Sequence, residues 1–343
     1  MESILVLTHC DETGAALSKG SLEAVTAAHE LAARLGEALS IGIVGSKAES
    51  AAQSVASAGA RVLSVSGEAF TQPRFASDAA ACTAICRAAQ PTLVLAPHSS
   101  RFGRVMAAVA YRLGGKIDTH IASIGGTEGI EASRWLYRQR IEAVLTRTSR
   151  PWFLLMDGGI HEPWSGEVAA PHAEQLAVEL PAFRTRFVGF RSPDQGGAGT
   201  IRPEAKLLFV AGAGWTKKQP DGQIRAAEAG DLILQFLRLS AASLGSSKSL
   251  VDQGGDGNAV LPFLNHLNQV GQTGSTPRHP KGLATCCHGE EPHVVGWRFI
   301  GERRAISLDP NCGWTRGKAD VVYIADAFQV MARLNALLAK SGS

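Results

Sequence analysis

The chain has 343 residues, of which 45% are hydrophobic and 19% are charged, and its formal net charge is +3. At roughly 100–200 residues per domain, this length predicts two globular domains. The near-neutral charge argues against a protein that binds nucleic acid or a membrane surface, and no apolar run approaches the roughly 20 residues of a membrane-spanning helix.

The N-terminal residues MESILVLTHC lead directly into a strand pattern, without the features of a signal peptide or a presequence. The six cysteines form no C-x-x-C pair. Cys82 and Cys86 lie four positions apart on a predicted helix, and we interpret them as buried thiols. Together these features predict a cytoplasmic protein.

The first 115 or so residues alternate short apolar strands with amphipathic helices, a pattern typical of a parallel sheet flanked by helices. The predicted strands are 3–9, 39–45, 61–67 and 91–97. Ser77 is the predicted N-cap of the helix before the last of these strands. Gly114 is the predicted end of the helix that follows it.

After Lys116 the segments become short, alternating and rich in β-forming residues. The four segments are 120–126, 133–140, 142–150 and 151–159. We expect all four to form an antiparallel extension of the sheet. The stretch RSPDQGGAGTIRPEA, residues 191–205, is rich in Gly, Pro and polar residues and predicts a linker between a first domain, 1–190, and a second, 206–343.

A second alternation of strands and helices begins at residue 206. Its predicted strands are 206–215, 241–247, 282–289, 304–310 and 319–326, and its main helices are 224–240 and a closing helix from residue 327. The fold class is therefore α/β with two domains.

Several loops that follow these strands are candidates for a binding site, because open parallel sheets bind ligands at the carboxyl ends of their strands. Gly212 and Gly214 follow the first strand, and GSSKS, residues 245–249, offers two hydroxyls and a lysine. The stretch NQVGQTGSTPRHP, residues 268–280, is glycine-rich. Taken singly, each is equally well explained as an ordinary turn, and the Gly212 loop lacks the third glycine of a dinucleotide-binding fingerprint.

The order of the loops is more specific than any one of them. The succession FVAGAGW, SLGSSKSLVDQG, QVGQTG, GLATCCHGEEPHVVGW, AISLDP and ADVVYIADAF resembles the flavin-binding domain of the electron transfer flavoprotein alpha subunit family. The segment QVGQTG, residues 269–274, agrees with the family pattern at every position. The first domain is similar too, in APHSSRFGRVMAAVAYRLGGKIDTHI, so the resemblance covers nearly the whole chain.

The resemblance implies an N-terminal Rossmann-like parallel sheet with an antiparallel extension and a C-terminal doubly wound domain that binds FAD. Ser247 and Thr273 match hydroxyl positions near flavin N5 and O4, and Gln272 matches an amide beside the ring. Lys248 stands where the family has Arg. His293 matches a histidine facing N1 and the C2 carbonyl, where a cation stabilises the negative charge of a reduced flavin.

The resemblance also assigns the rest of the cofactor. Gly212 and Gly214 match the loop beside the pyrophosphate, and Ser307 and Asp320 match positions at the adenosine end. The remaining expected contacts, from the same loops, are Gln269, Val270, Gly271, Gly274, His288 and Asp309.

Family membership would make the chain an electron carrier rather than an enzyme. The resemblance implies a heterodimer in which a separate beta subunit contacts the first domain and carries AMP. It further implies that a dehydrogenase donates electrons and that a membrane quinone reductase accepts them.

Several positions depart from the family pattern. Ala213 replaces an arginine, Pro292 replaces the glutamine of a Gln-His pair and Ser307 replaces an asparagine, while Glu290 and Glu291 add negative charge. These changes leave two alternatives open. One is a scaffold subunit of a redox complex that has lost FAD. The other is an enzyme, an NAD- or acyl-using member of a doubly wound fold, with His288 and either glutamate as its base or nucleophile. Reaction of a bound flavin with NADH would support this enzyme or an NADH-reactive flavoprotein subunit.

Overall fold

The computed structural model describes residues 2–126, 129–136, 141–166, 173–189, 201–202, 205–252, 259–270, 279–285, 300–310 and 319–341. The chain divides into two compact units, Met1–Gly189 and Phe190–Ser343, here called unit 1 and unit 2. The predicted linker, 191–205, lies mostly outside the described residues. No helix in the described ranges combines the length and hydrophobicity needed to cross a bilayer.

Unit 1 is built on one nine-stranded sheet of order β7-β6-β5-β8-β4-β1-β2-β3-β9. Its strands are β1 (Ile4–His9), β2 (Leu39–Gly45), β3 (Arg61–Ser66), β4 (Leu93–Pro97), β5 (Lys116–Gly125), β6 (Glu131–Leu136), β7 (Ile141–Leu145), β8 (Trp152–Met156) and β9 (Ala173–Gln175). Its helices are α1 (Lys19–Leu35), α2 (Ala48–Ala52), α3 (Phe75–Ala89) and α4 (Met106–Arg112).

The parallel core of unit 1 confirms the predicted sheet. The pairs β1–β2, β1–β4 and β2–β3 are all parallel. Every residue of β1 and β4 is buried, because helices cover both faces of the sheet. Two apolar clusters form, one on each face, with Val6 and Ile41 in the first and Leu5 and Leu7 in the second.

The antiparallel extension is correct for three of the four predicted segments. The pairs β5–β6 and β6–β7 are antiparallel. The prediction for 151–159 was wrong, because β8 lies inside the sheet and pairs in parallel with both β4 and β5. All five residues of β8 are buried, and a continuous apolar run of this kind suits a central parallel strand.

The helix boundaries follow from local capping. Ser18 caps α1, since its side chain accepts a hydrogen bond from Ser21 N at 3.3 Å, and Gly36 ends the helix with a left-handed φ of 67°. The prediction of Ser77 as an N-cap was wrong, because α3 already begins at residue 75. There the Asp78 carboxylate accepts from Arg74 N at 3.2 Å and leaves Ser77 buried inside the helix.

The interpretation of two cysteines as buried thiols is confirmed. Cys82 and Cys86 lie on the covered face of α3, and both are free and buried. Burial raises the pKa of Cys86 to about 12 and also raises that of Cys82. Both side chains therefore act as small apolar groups at neutral pH.

Unit 2 carries a five-stranded sheet of order β11-β10-β12-β13-β14, in which every pair is parallel. Its strands are β10 (Leu207–Ala211), β11 (Ser243–Ser246), β12 (Lys281–Thr285), β13 (Glu302–Ser307) and β14 (Val321–Ile324). Its described helices are α5 (Ala226–Ser240), α6 (Lys248–Asp252) and α7 (Ala327–Ser341). Helices α5 and α7 cover one face, where Phe209 and Phe236 join Met331 in a single apolar cluster.

Numbered within unit 2, this strand order is 2-1-3-4-5, one of the two common orders of doubly wound folds. The predicted fold class, two α/β units with a doubly wound second unit, is therefore confirmed.

Candidate functional site

The carboxyl edge of the unit 2 sheet is the expected binding position in this topology. The chain order reverses between β10 and β12, and such a switch point opens a crevice above the strand ends. Backbone hydrogen bonds tie the ends together there. Gly212 N donates to Thr285 O at 2.8 Å, and Ser247 N donates to Ala211 O at 2.9 Å. The carboxyl ends of β10, β11 and β12 therefore lie side by side.

Two of the predicted loops meet at this edge. Ser246, the last residue of β11, forms an isolated parallel bridge with Gln269, and Val270 N donates to Ser246 O at 3.1 Å. Val270 is fully buried, and a Cβ added to Gly245 would lie 2.7 Å from its Cγ2. Glycine at position 245 thus allows the second loop to pack directly on the strand that carries the first.

Asn268 holds this junction in place, although no role was predicted for it from the sequence. Its side-chain amide donates to Leu244 O at 3.2 Å, and its Oδ1 accepts from Asn265 N at 3.1 Å. Asn268 is fully buried. An Asn two positions before the apolar Val270, at the start of a glycine-rich loop, was the signal available, because a buried amide must find such partners.

The hydroxyls at the end of β11 have different environments. Ser247 Oγ accepts from Leu250 N at 3.3 Å and so caps the short helix α6. Ser246 Oγ is buried without a hydrogen-bond partner among the described residues. A buried hydroxyl left unpaired costs free energy, so Ser246 Oγ has hydrogen-bonding capacity that the described residues do not use. The family resemblance implied a role for Ser247 and none for Ser246.

Lys248 supplies the cation predicted for this edge. Its Nζ lies 2.8 Å from Asp252 Oδ2, and the lysine side chain is about half exposed. The same carboxylate group lies 3.7 Å from His266 Nδ1. The cation is therefore partly compensated, and solvent screens it further.

The glycine-rich loop after β10 is mostly core. Residues 213–216 form a buried turn of 3-10 helix in which Trp215 is fully buried. Trp215 Nε1 donates to Thr285 Oγ1 at 2.8 Å, and its ring meets Phe328 edge-on at 4.6 Å. The Gly212 amide is occupied by Thr285, and Gly214 O accepts from Gln219 Nε2 at 3.0 Å.

The residues predicted for the adenosine end separate. Ser307 and Asp309 lie at the carboxyl end of β13, where Ser307 Oγ accepts from Asp309 N at 3.2 Å. Asp320 precedes β14 and so lies at the opposite edge of the sheet. There it accepts from Arg303 N at 2.7 Å and from Arg303 Nη2 at 2.9 Å. Hydrogen bonding to Arg303 lowers the pKa of the Asp320 carboxyl, and the structure does not bring this residue together with the other predicted contacts.

Asp326 occupies the corresponding position at the carboxyl end of β14. Its Oδ1 accepts from Phe328 N at 2.8 Å and from Gln329 N at 3.2 Å, so it caps α7. The carboxylate at this edge is therefore engaged in holding the last helix.

Six predicted contacts lie outside the described residues: Gly271, Gln272, Thr273, Gly274, His288 and His293. The same holds for Glu290, Glu291 and Pro292. Their assigned roles stay predictions.

A cavity of about 650 Å³ in unit 2 does not coincide with these loops. Apolar side chains such as Phe236, Leu283 and Leu334 line it, and Lys281 and Glu302 at the amino ends of β12 and β13 border it. It is an apolar groove along α7 and offers few polar groups to a charged cofactor.

Comparison with known proteins bears on the first unit. A family model described as the electron transfer flavoprotein domain matches residues 6–182, slightly more than half of the chain. A comparison with curated proteins gave no match.

Proposed function

The chain belongs to the electron transfer flavoprotein family, and from this membership we propose that it is the alpha subunit of a heterodimeric electron transfer flavoprotein. In this role it takes electrons from a dehydrogenase and passes them to a membrane quinone reductase. The partner is a beta subunit that carries AMP. Members of the family are electron carriers rather than classical enzymes.

The observation that most supports a flavin site is the junction of Ser246 with Gln269 beside the switch point of the unit 2 sheet. It joins the two loops for which the family resemblance implies ring contacts. The buried Ser246 hydroxyl at this junction has no partner among the described residues, and it would suit a ligand that offers carbonyl oxygens and ring nitrogens.

The residues of this edge would bind and orient FAD from several sides. Ser246 and Ser247 offer hydroxyls, Lys248 offers positive charge, and Gln269 adds an amide from the neighbouring loop. When bound, FAD supplies the electron-transfer chemistry, while the surrounding charges and hydrogen bonds tune its potential. Val270 and the turn at Trp215 are buried, and they would exclude water from the side of the site that faces the sheet.

A second candidate is a subunit that keeps the fold and the partner contacts without FAD. Three observations favour it. The Gly212 amide is occupied by Thr285, the family arginine is replaced by a buried Ala213, and Asp320 lies at the far edge, held by Arg303.

One preparation distinguishes the two candidates. The full chain is expressed together with an electron transfer flavoprotein beta subunit, purified, and denatured, and any released cofactor is identified by chromatography and absorbance. We expect about one FAD for each pair of chains, from the single flavin-binding domain implied by the resemblance. A colourless pair from which no flavin is released would contradict the proposal and support the scaffold subunit.

A matched pair of variants tests the site itself. Lys248→Ala removes a lysine at the carboxyl edge, and Lys281→Ala removes one at the amino edge; both lysines are exposed and lie near a carboxylate. We expect Lys248→Ala to weaken FAD binding by roughly 10–100-fold, the worth of a charge-assisted hydrogen bond. Lys281→Ala should bind FAD as the parent does, and equal losses in both variants would argue against the assigned edge.

A further inference from the structure

Unit 1 brings three metal-ligating side chains together at the carboxyl edge of its sheet. His98 directly follows β4, Asp157 directly follows β8, and His120 lies within β5, the three strands being neighbours in the order β5-β8-β4. One ligand atom from each residue lies within 4.8 Å of those of the other two.

The backbone fixes the relative positions of these residues. His98 N donates to Met156 O at 2.7 Å, and Asp157 N donates to Ile121 O at 2.9 Å. The turn after Asp157 is held as well, since Gly159 N donates to Glu23 Oε2 at 2.7 Å. The three side chains therefore project from a rigid part of the sheet.

His120 has an unusual backbone conformation. Its φ is 59°, in the left-handed region, and the pairing of β5 with β8 is irregular between Asp118 and Ile121. A bulge of this kind re-aims a side chain at some cost in free energy, and such bulges occur often beside functional sites. Here it accompanies a close approach of His120 Nδ1 to Asp157 Oδ1, at 3.0 Å.

The donor set is chemically specific. His98 Nδ1 lies 3.6 Å from Asp157 Oδ1, and the two imidazole rings meet edge-on with centroids 4.0 Å apart. Two imidazole nitrogens and one carboxylate oxygen are a common protein ligand set for Zn²⁺ with a fourth position open. Bonds of 2.0–2.2 Å place tetrahedral ligand atoms about 3.3 Å apart, so no pair of ligand atoms would need to close by more than roughly 1.5 Å.

Side-chain rotation can supply this movement, because none of the three side chains is locked in the core. The His98, Asp157 and His120 side chains are 22%, 27% and 57% exposed. The exposure also gives an ion a path from solvent and leaves a coordination position for water.

We propose that His98, His120 and Asp157 form a binding site for a late first-row divalent transition-metal ion such as Zn²⁺. The ion is held by two imidazole nitrogens and one carboxylate oxygen, with water in the remaining position. The competing explanation is a hydrogen-bonded His–Asp–His cluster that binds no ion.

Metal content separates these explanations. The full chain is stripped with a chelator, titrated with Zn²⁺ in a calorimeter and analysed for bound metal after dialysis. We expect the parent chain to hold one Zn²⁺ more than the His120→Ala variant does. Comparing stoichiometries removes the contribution of any other site, including cysteines outside the described residues.

Further variants keep the test independent of folding. Asp157→Asn preserves shape, and we expect it to weaken Zn²⁺ binding by at least the roughly 10–100-fold that loss of a supporting group costs. His161→Ala is the matched control, because His161 forms a similar contact, 3.3 Å to Glu30, with no third ligand among the described residues. Circular dichroism without metal checks that each variant is folded.

Cobalt provides a second readout. Co²⁺ added to the parent and to His161→Ala should give the intense visible bands of a four-coordinate ion, and these bands should be missing in His120→Ala and Asp157→Asn. The proposal is overturned if the parent binds no Zn²⁺, or if folded His120→Ala and Asp157→Asn bind it with the parent's stoichiometry and affinity.

Discussion

Both units have a sheet with a parallel core and helices packed against it, yet the family match and the most specific sequence motif lie in different units. The family model matches unit 1, which contains few local motifs, whereas the specific motif QVGQTG lies in unit 2, beyond the match. In unit 1 Arg101, in the loop after β4, forms a buried ion pair with Asp78. In unit 2 the ion pair of Lys248 with Asp252, in the helix after β11, is exposed.

The residues that identify the family of a protein are therefore not necessarily the residues that form its binding site. A fold pattern is spread over many buried positions, such as the apolar strands β1 and β4. A cofactor site depends on a few loop residues that can change while the core stays the same. The departures at Ala213 and Lys248 are of the second kind.

The largest expected effect comes from the buried pair of unit 1. Arg101 donates to both carboxylate oxygens of Asp78, at 2.7 and 3.0 Å, and to Phe70 O at 2.8 Å. Arg101→Ala leaves a buried carboxylate without its cation and should destabilise unit 1 by about 3–5 kcal/mol. Urea unfolding, with hydrogen exchange measured on peptides from β1 and β4, reports the loss.

The exposed Arg104→Ala variant serves as the control and should change the free energy of unfolding by under about 0.5 kcal/mol. Replacing both partners, in Arg101→Met with Asp78→Leu, should cost less than Arg101→Ala because no charge is left unpaired. If Arg101→Ala lowers the free energy of unfolding by less than about 1 kcal/mol, the buried pair of unit 1 contributes no more than the exposed pair of unit 2.

The next effect is a pH dependence that originates in unit 1. His9 is buried, its Nε2 lies 2.8 Å from Ser99 Oγ, and burial lowers the pKa of His9 to about 4. Below about pH 6.5, His9 becomes protonated in the unfolded chain, whereas in the folded chain it stays neutral down to about pH 4. Stability contributed by neutral His9 is therefore lost as the pH falls from about 6.5 to about 4, by up to about 3 kcal/mol.

The measurement is the free energy of unfolding at several pH values for the parent and for His9→Gln. The difference between the two matters, because burial raises the pKa of Asp78 and Glu23 and so works in the opposite direction. We expect the parent to lose more stability than His9→Gln across this window, with His161→Gln following the parent. Parallel pH profiles for the parent and His9→Gln would refute the assignment.

The smallest effect on stability lies in unit 2, where Asp252→Asn removes the partner of Lys248. Exposed ion pairs contribute about 0–1 kcal/mol, so the free energy of unfolding should hardly change. If FAD binds as proposed, the freed cation should nevertheless raise the midpoint potential of the flavin, since positive charge favours its reduced form. Spectroelectrochemistry of the purified pair of subunits measures this shift.

Glu302→Gln is the comparison variant, because Glu302 lies 3.9 Å from Lys281 at the opposite edge of the same sheet. It should leave the potential unchanged. An equal shift in both variants would mean that Lys248 has no special position relative to the flavin.

Much of the fold could be predicted from local patterns. The alternation of apolar strands with amphipathic helices predicted the parallel cores of both units, and β2 begins and ends at the predicted residues. Such patterns work because each strand in a covered parallel sheet must bury both of its faces. The short strand β9 was missed, since three residues carry too little pattern to be distinguished from a loop.

The candidate site was predicted less completely. The sequence directed attention to Ser247, Lys248 and Gln269, and these lie at one edge of the sheet. It did not separate Asp320 from that edge, because the pattern A-D occurs at both ends of the four-residue strand β14. The bounds of β14 place Asp320 at its amino end, where it binds Arg303, and Asp326 beyond its carboxyl end, where it caps α7.

Sequence patterns were sufficient to predict two α/β units, a doubly wound second unit and membership of a flavoprotein family. Which distant residues meet became clear from the strand order of the folded chain. His120 and Asp157 are 37 positions apart and come together because β8 enters the sheet between β4 and β5. Local propensity specifies strands and helices, whereas the pairing of strands depends on packing across the whole unit.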